Sequence, residues 1–156
     1  MASKIEQRVI EMLSMIELPD DAGKRLEHLG TPAVTVVCEA ALDSYPGLRA
    51  KVRSNAIALL GSVSHPQARE TLHLLVADTN RDIAAGAIRA LAGQRDRTAI
   101  KRLAQLLSRG RLDPVLVTES VKGLLAIGTR EAKAAVLAYE KASVEASKPR
   151  RRSARV

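Results

Sequence analysis

Residues 52–78 read VRSNAIALLGSVSHPQARETLHLLVAD, and this stretch decides the fold. Val52, Ala56, Ile57 and Leu60 fall on one face of a helix, and Ala68, Leu72 and Leu75 fall on one face of a second helix, because both sets follow the i, i+4, i+7 or i+8 spacing of a 3.6-residue period. Between them, His65-Pro66 sets a turn former before a proline at a first helical position.

Both patterns recur along the chain. Ala68, Leu72 and Leu75 superpose on Ala99, Leu103 and Leu106 at an offset of 31, and then on Ala132, Val136 and Tyr139 at a further 33; an earlier copy, Ala33, Val37 and Ala40, lies 35 back. The other helix repeats independently, from Val52, Ala56, Ile57 and Leu60 to Ile83, Ala87, Ile88 and Leu91 and on to Leu116, Ser120, Val121 and Leu124. A helical hairpin cannot bury its apolar stripe alone, so such units stack into a solenoid with one continuous core.

The punctuation agrees. Thr31-Pro32, His65-Pro66 and Asp113-Pro114 open helices, and Gly61, Gly93, Gly110 and Gly128 stand where helices are expected to stop. The spacing predicts helices over 32–42, 48–63, 66–77, 82–93, 96–108, 114–127 and 130–146, preceded by 3–17 and 21–29 with Pro19 between them. The expected fold is all-α: a single domain over 1–146, with residues 1–30 as an N-terminal helical cap on three to four hairpins over 31–146.

Composition restricts the chemistry. Hydrophobic residues make up 46% of the 156, yet Trp and Phe are absent, so the core is aliphatic and little is left for base stacking or an aromatic cage. No run is long and apolar enough for a membrane span, and the N-terminus lacks the apolar run of a signal peptide; a cytoplasmic protein is expected. The lone cysteine, Cys38, reads as a buried structural thiol. The net charge of +8 is unevenly spread: residues 1–46 carry four basic and eight acidic side chains, whereas 80–111 carry eight basic and two acidic ones. The last ten residues, SKPRRRSARV, add five positive charges without periodicity and read as a disordered basic tail over 147–156.

Val52-Arg53, Ala56, Leu59, Leu60, Gly61, His65-Pro66, Ala68, Leu72, Leu75 and Asp78 resemble the HEAT-like repeats of the phycobilisome-lyase type, and the resemblance extends over roughly residues 31–142. It implies a curved right-handed solenoid whose second helices line a concave side used mainly to hold other proteins. It also implies that the arginine after valine, Arg53, pairs with the aspartate ending the preceding helix, which here is Asp43; Asp78 is left without a matching arginine, since Ala84 stands in that place.

Catalysis finds little support. His28, His65 and His73 share no face with one another or with a carboxylate in the spacing a metal needs, no histidine neighbours Cys38, and no Gly-x-Ser-x-Gly or phosphate-binding glycine loop occurs. No enzyme, metal or cofactor is expected. Ala58, Arg89 and Lys122 occupy equivalent positions of successive second helices and should face the concave groove, with Arg89 and Lys122 as partner-binding residues and Arg49, Arg81 and Arg95 at turns nearby as further ones. The expected function is a non-enzymatic adaptor or scaffold holding an acidic or helical segment of another protein. The alternative is nucleic-acid association through the basic middle and tail, with phosphates neutralised and no base readout. The acidic cap and basic middle also suit head-to-tail self-association.

Overall fold

A computed structural model describes residues 3–43, 49–109 and 113–148. Among these residues there are nine helices and no strand: α1 (Lys4–Leu13), α2 (Ala22–Leu29), α3 (Thr31–Ala41), α4 (Ala50–Ser62), α5 (Pro66–Leu75), α6 (Arg81–Gly93), α7 (Ala99–Ser108), α8 (Pro114–Ile127) and α9 (Arg130–Ser147). They form two layers. In one, α2, α4, α6 and α8 stack in succession; in the other, α1 packs on α3, α3 on α5, and α7 on α9, while α5 and α7 scarcely touch. The expected all-α solenoid is therefore what the chain forms, and the N-terminal cap is itself a hairpin whose second helix, α2, continues the α4 stack.

The repeat register holds. Ala56, Leu60, Leu72, Ala87, Ile88, Leu91, Leu103 and Leu124 are fully buried, and the earlier copy, Ala33, Val37 and Ala40, is buried with them. At the last unit the pattern thins: Leu116, Val121 and Tyr139 are only partly buried, since fewer helices flank them. Cys38 is buried, and that burial pushes its thiol up, only partly offset by a hydrogen bond with Thr71.

Helix starts follow the capping chemistry. Ser3 and Glu6 form a reciprocal capping box on α1, His65 Nδ1 accepts from the Gln67 amide, Asn80 and Asp113 cap α6 and α8, and Thr129 caps α9. The ends diverge more from expectation. α1 stops at Leu13 rather than near 17, because Asn55 from α4 donates to the carbonyls of Leu13 and Met15 at 2.9 and 3.0 Å, partners the helix end would otherwise lack. α7 begins at Ala99 rather than 96, since the Asp96 carboxylate accepts from the Thr98 amide and hydroxyl at 2.9 and 2.7 Å and holds a turn there.

Two glycine readings change. Gly61 lies inside α4, where a side chain would meet Ala90 Cβ at 2.9 Å and Ala90 Cα at 3.3 Å; its role is the close approach of α4 to α6. α6 does end at Gly93, but the stop is made two residues on. Arg95 takes φ +50° and the Asp96 amide reaches back to the Leu91 carbonyl at 3.0 Å, the wrapping pattern that glycine usually supplies. Gly128, at φ +73°, is a left-handed cap as expected. Gly110 lies outside the described residues.

Arg53 does not pair with Asp43. Its Nη2 donates to Asp78 Oδ2 at 2.8 Å and its Nε to the Ala41 carbonyl at 2.9 Å, so it ties the ends of α3 and α5 together. The second residue of the α4 stretch VRSN lies beside the end of the following first helix, and Asp78, not Asp43, points at it; Asp43 itself sits at φ +64°. Asp78 thus has an arginine after all, one supplied by the preceding unit. Of the basic tail, Ser147 ends α9 and Lys148 caps it; the remainder, 149–156, lies outside the described residues.

Candidate functional site

The stacked second helices leave a groove of about 410 Å³ between α4 and α6, with Ser54, Ala58, Gly61, Gly86 and Arg89 among its walls. Small residues produce it. Gly61 lets the two backbones close at one end, and a Cβ at Gly86 would stand 3.4 Å from Ile57 Cγ2 further along, so the groove floor is largely backbone and methyl groups. Ala58 and Arg89, equivalent positions of α4 and α6, both line it, as their spacing predicts; Lys122 is exposed at the equivalent position of α8.

The charge in this groove is mixed. Arg89 Nη1 lies 3.6 Å from Glu119 Oε2, the arginine side chain being 61% exposed and the glutamate 15%, and Asp82 also lines the groove. Glu119 precedes Lys122 by three residues and so shares its helix face; that spacing was the sequence signal for an acid in the site. Lys122 has no ion-pair partner among the described residues.

The remaining three site residues do not join one surface. Arg49 is the exposed N-terminal cap position of α4. Arg81 opens α6, where its guanidinium lies 3.5 Å from Asp82 and 3.7 Å from Asp113, so it links the starts of two second helices. Arg95 is exposed at the far end of α6, a helix of 13 residues and hence about 20 Å long. Arg81 and Arg95 therefore mark opposite ends of the second-helix layer, and only Ala58, Arg89 and Lys122 share its middle.

Two of the three histidines, His65 and His73, are structural in their contacts. His65 caps α5, and His73 Nε2 lies 3.1 Å from Asp96 Oδ2 and 3.0 Å from Thr98 Oγ1. Arg69 adds a third group, 3.6 Å from the same carboxylate oxygen. Burial pushes the Asp96 carboxyl up, but the Thr98 hydrogen bonds and the His73 ring outweigh it and hold the group below its ordinary value of 3.8.

A family model for HEAT repeats matches residues 47–116, from the approach to α4 through α7 into α8. That stretch of the chain carries HEAT repeats. The match does not specify the phycobilisome-lyase type. Among solved structures, this solenoid is similar to the crystal structure of an engineered protein, with a TM-score of 0.54 over 91% of this chain and 70% of the other at 18% identity, a likeness of fold alone. No curated protein matches the sequence. HEAT repeats are usually protein-interaction scaffolds, and no helix among the described residues is long and apolar enough to cross a membrane.

Proposed function

We propose that this protein is a non-enzymatic cytoplasmic adaptor that holds a segment of another protein in the groove between α4 and α6. The observation carrying this reading is the groove itself. Its small walls at Ser54, Ala58, Gly61 and Gly86 allow a partner helix to approach closely, and a rigid stack supplies that surface without the ordering cost of a loop. Arg89 and Lys122 favour an acidic segment, while Glu119 and Asp82 fix its register by rejecting misplaced carboxylates.

Blocking the groove tests this. Ala58 is exposed and lines it, so Ala58→Trp fills the site without entering the core, and Lys122→Glu reverses the unpaired charge. Arg89→Glu is a poorer probe because it sets a second carboxylate against Glu119. Affinity capture from native lysate, treated with nuclease, should yield proteins retained by the parent and lost with Ala58→Trp. A capture set that nuclease removes, or that both variants retain, would defeat the reading.

A further inference from the structure

We propose a second binding surface, on the opposite layer: the cleft between α5 and α7 takes the phosphodiester backbone of nucleic acid. It is independent of the groove between α4 and α6. The two first helices stand apart here, unlike α3 on α5 or α7 on α9, and leave a groove of about 290 Å³ whose walls include His73, Thr98, Lys101, Arg102, Gln105 and Arg109.

Three properties identify the occupant. Among the described residues no carboxylate lines the groove, and the nearby Asp96 is buried and already engaged by His73, Arg69 and Thr98. Lys101, Arg102 and Arg109 have no ion-pair partner among the described residues, in contrast to Arg89 and Arg81 in the other layer. Lys101 and Gln105 are exposed at successive turns of α7, about 6 Å apart, and Arg109, also exposed, follows as the cap residue that ends the helix, so the wall is a row of hydrogen-bond donors.

The groove offers little to a protein. Its larger apolar members, Val76 and Leu106, are buried, and a protein partner gains most of its affinity from apolar anchors set in pockets. A polyanionic backbone needs only regularly placed cations, and the absence of Trp and Phe from the sequence leaves contacts to phosphates rather than stacked bases. Binding is therefore insensitive to sequence and steeply dependent on salt.

The test is fluorescence anisotropy of a labelled duplex DNA of about 20 base pairs with the full chain at about 50 to 200 mM salt. Lys101→Glu/Arg102→Glu/Arg109→Glu should weaken binding about 100-fold at the lowest salt and reduce the log–log salt slope by about 2 to 3, one unit per lost phosphate contact. Lys101→Glu/Arg109→Glu changes only exposed side chains and carries the test should the triple variant fold poorly, with circular dichroism as the control. Ala58→Trp should bind DNA as the parent does. Unchanged affinity in the double and triple variants overturns the proposal, as does loss confined to Arg150→Glu/Arg151→Glu/Arg152→Glu. Displacement of the DNA by polyglutamate at lower charge concentration than by unlabelled duplex would also overturn it, assigning the groove to an acidic protein segment.

Discussion

Ser120 is fully buried, and its hydroxyl has no hydrogen-bond partner among the described residues. The equivalent positions of the two preceding units hold Ala56 and Ala87, both fully buried, so the site is built for a methyl group. An unpaired buried hydroxyl costs about 1 to 3 kcal/mol, and Ser120→Ala should raise stability by about 1 kcal/mol in urea denaturation; a loss of stability would mean that the hydroxyl is bonded in solution. Asp96 is the opposite case, a buried charge fully engaged. Its folded-state pKa lies below the unfolded one, so its contribution is present in full above the unfolded value and is lost as pH falls through the folded value. Asp96→Asn should cost about 1 to 3 kcal/mol at neutral pH, and the gap to the parent should narrow below about pH 4. A gap that stays constant down to the acid transition would show that the charge plays no part.

Between elements, packing at the α4–α6 crossing sets opposite signs for two substitutions of the same kind. Gly→Ala in a helix gains about 1 kcal/mol of propensity. At Gly93 nothing lies within 4 Å of the added methyl, so Gly93→Ala should be stabilising by up to about 1 kcal/mol. At Gly61 the methyl meets the Ala90 backbone and side chain, and overpacking of about 1 to 3 kcal/mol should leave Gly61→Ala destabilised. Thermal melts of the two variants settle it: a shift of the same sign in both would disprove the close approach. Leu72 and Leu103 are equivalent and fully buried on α5 and α7, and truncating either to alanine should cost about 2 to 5 kcal/mol through the cavity left between stacked hairpins.

For the whole molecule, a stack in which each unit touches only its neighbours has stability that is highest in the middle and falls toward the ends. α4 and α6 are covered by helices on several sides, whereas every residue from Glu140 to Lys148 is exposed. Native-state hydrogen exchange should show the α9 amides beyond about residue 140 exchanging by local opening and those of α4 and α6 exchanging only near global unfolding. Uniform protection along α9 would mean that another surface covers its C-terminal half. The links between units are polar as well as apolar: Gln94 donates from the end of α6 to the carbonyls of Leu60, Gly61 and Val63 at 2.9 to 3.2 Å, and Arg53 joins α3 to α5. Arg53→Ala should therefore cost about 2 to 3 kcal/mol, since it leaves Asp78 Oδ2 and a helix-end carbonyl without their donor in a largely covered site.

The sequence by itself determined the helices, their stacking order and the inward positions, because burial of an apolar stripe at a 3.6-residue period is a local property and the chain repeats it. Leu72, Leu103, Ile88 and Leu91 could be placed in the core from spacing alone, as could Ala58, Arg89 and Lys122 on one face of the second helices. What period and spacing do not carry is which side chain of one unit reaches which backbone of another. The end of α1 at Leu13 is set by Asn55, 42 residues away, the partner of Arg53 is Asp78, 25 residues on, and Gly61 answers to Ala90 rather than to its own helix end. The charges of the candidate groove depended in the same way on distance in space, where Glu119 meets Arg89, and the parting of α5 from α7 that exposes Lys101, Arg102 and Arg109 exists only once the layers have stacked, since it reflects the angle between units and no residue pattern encodes that angle locally.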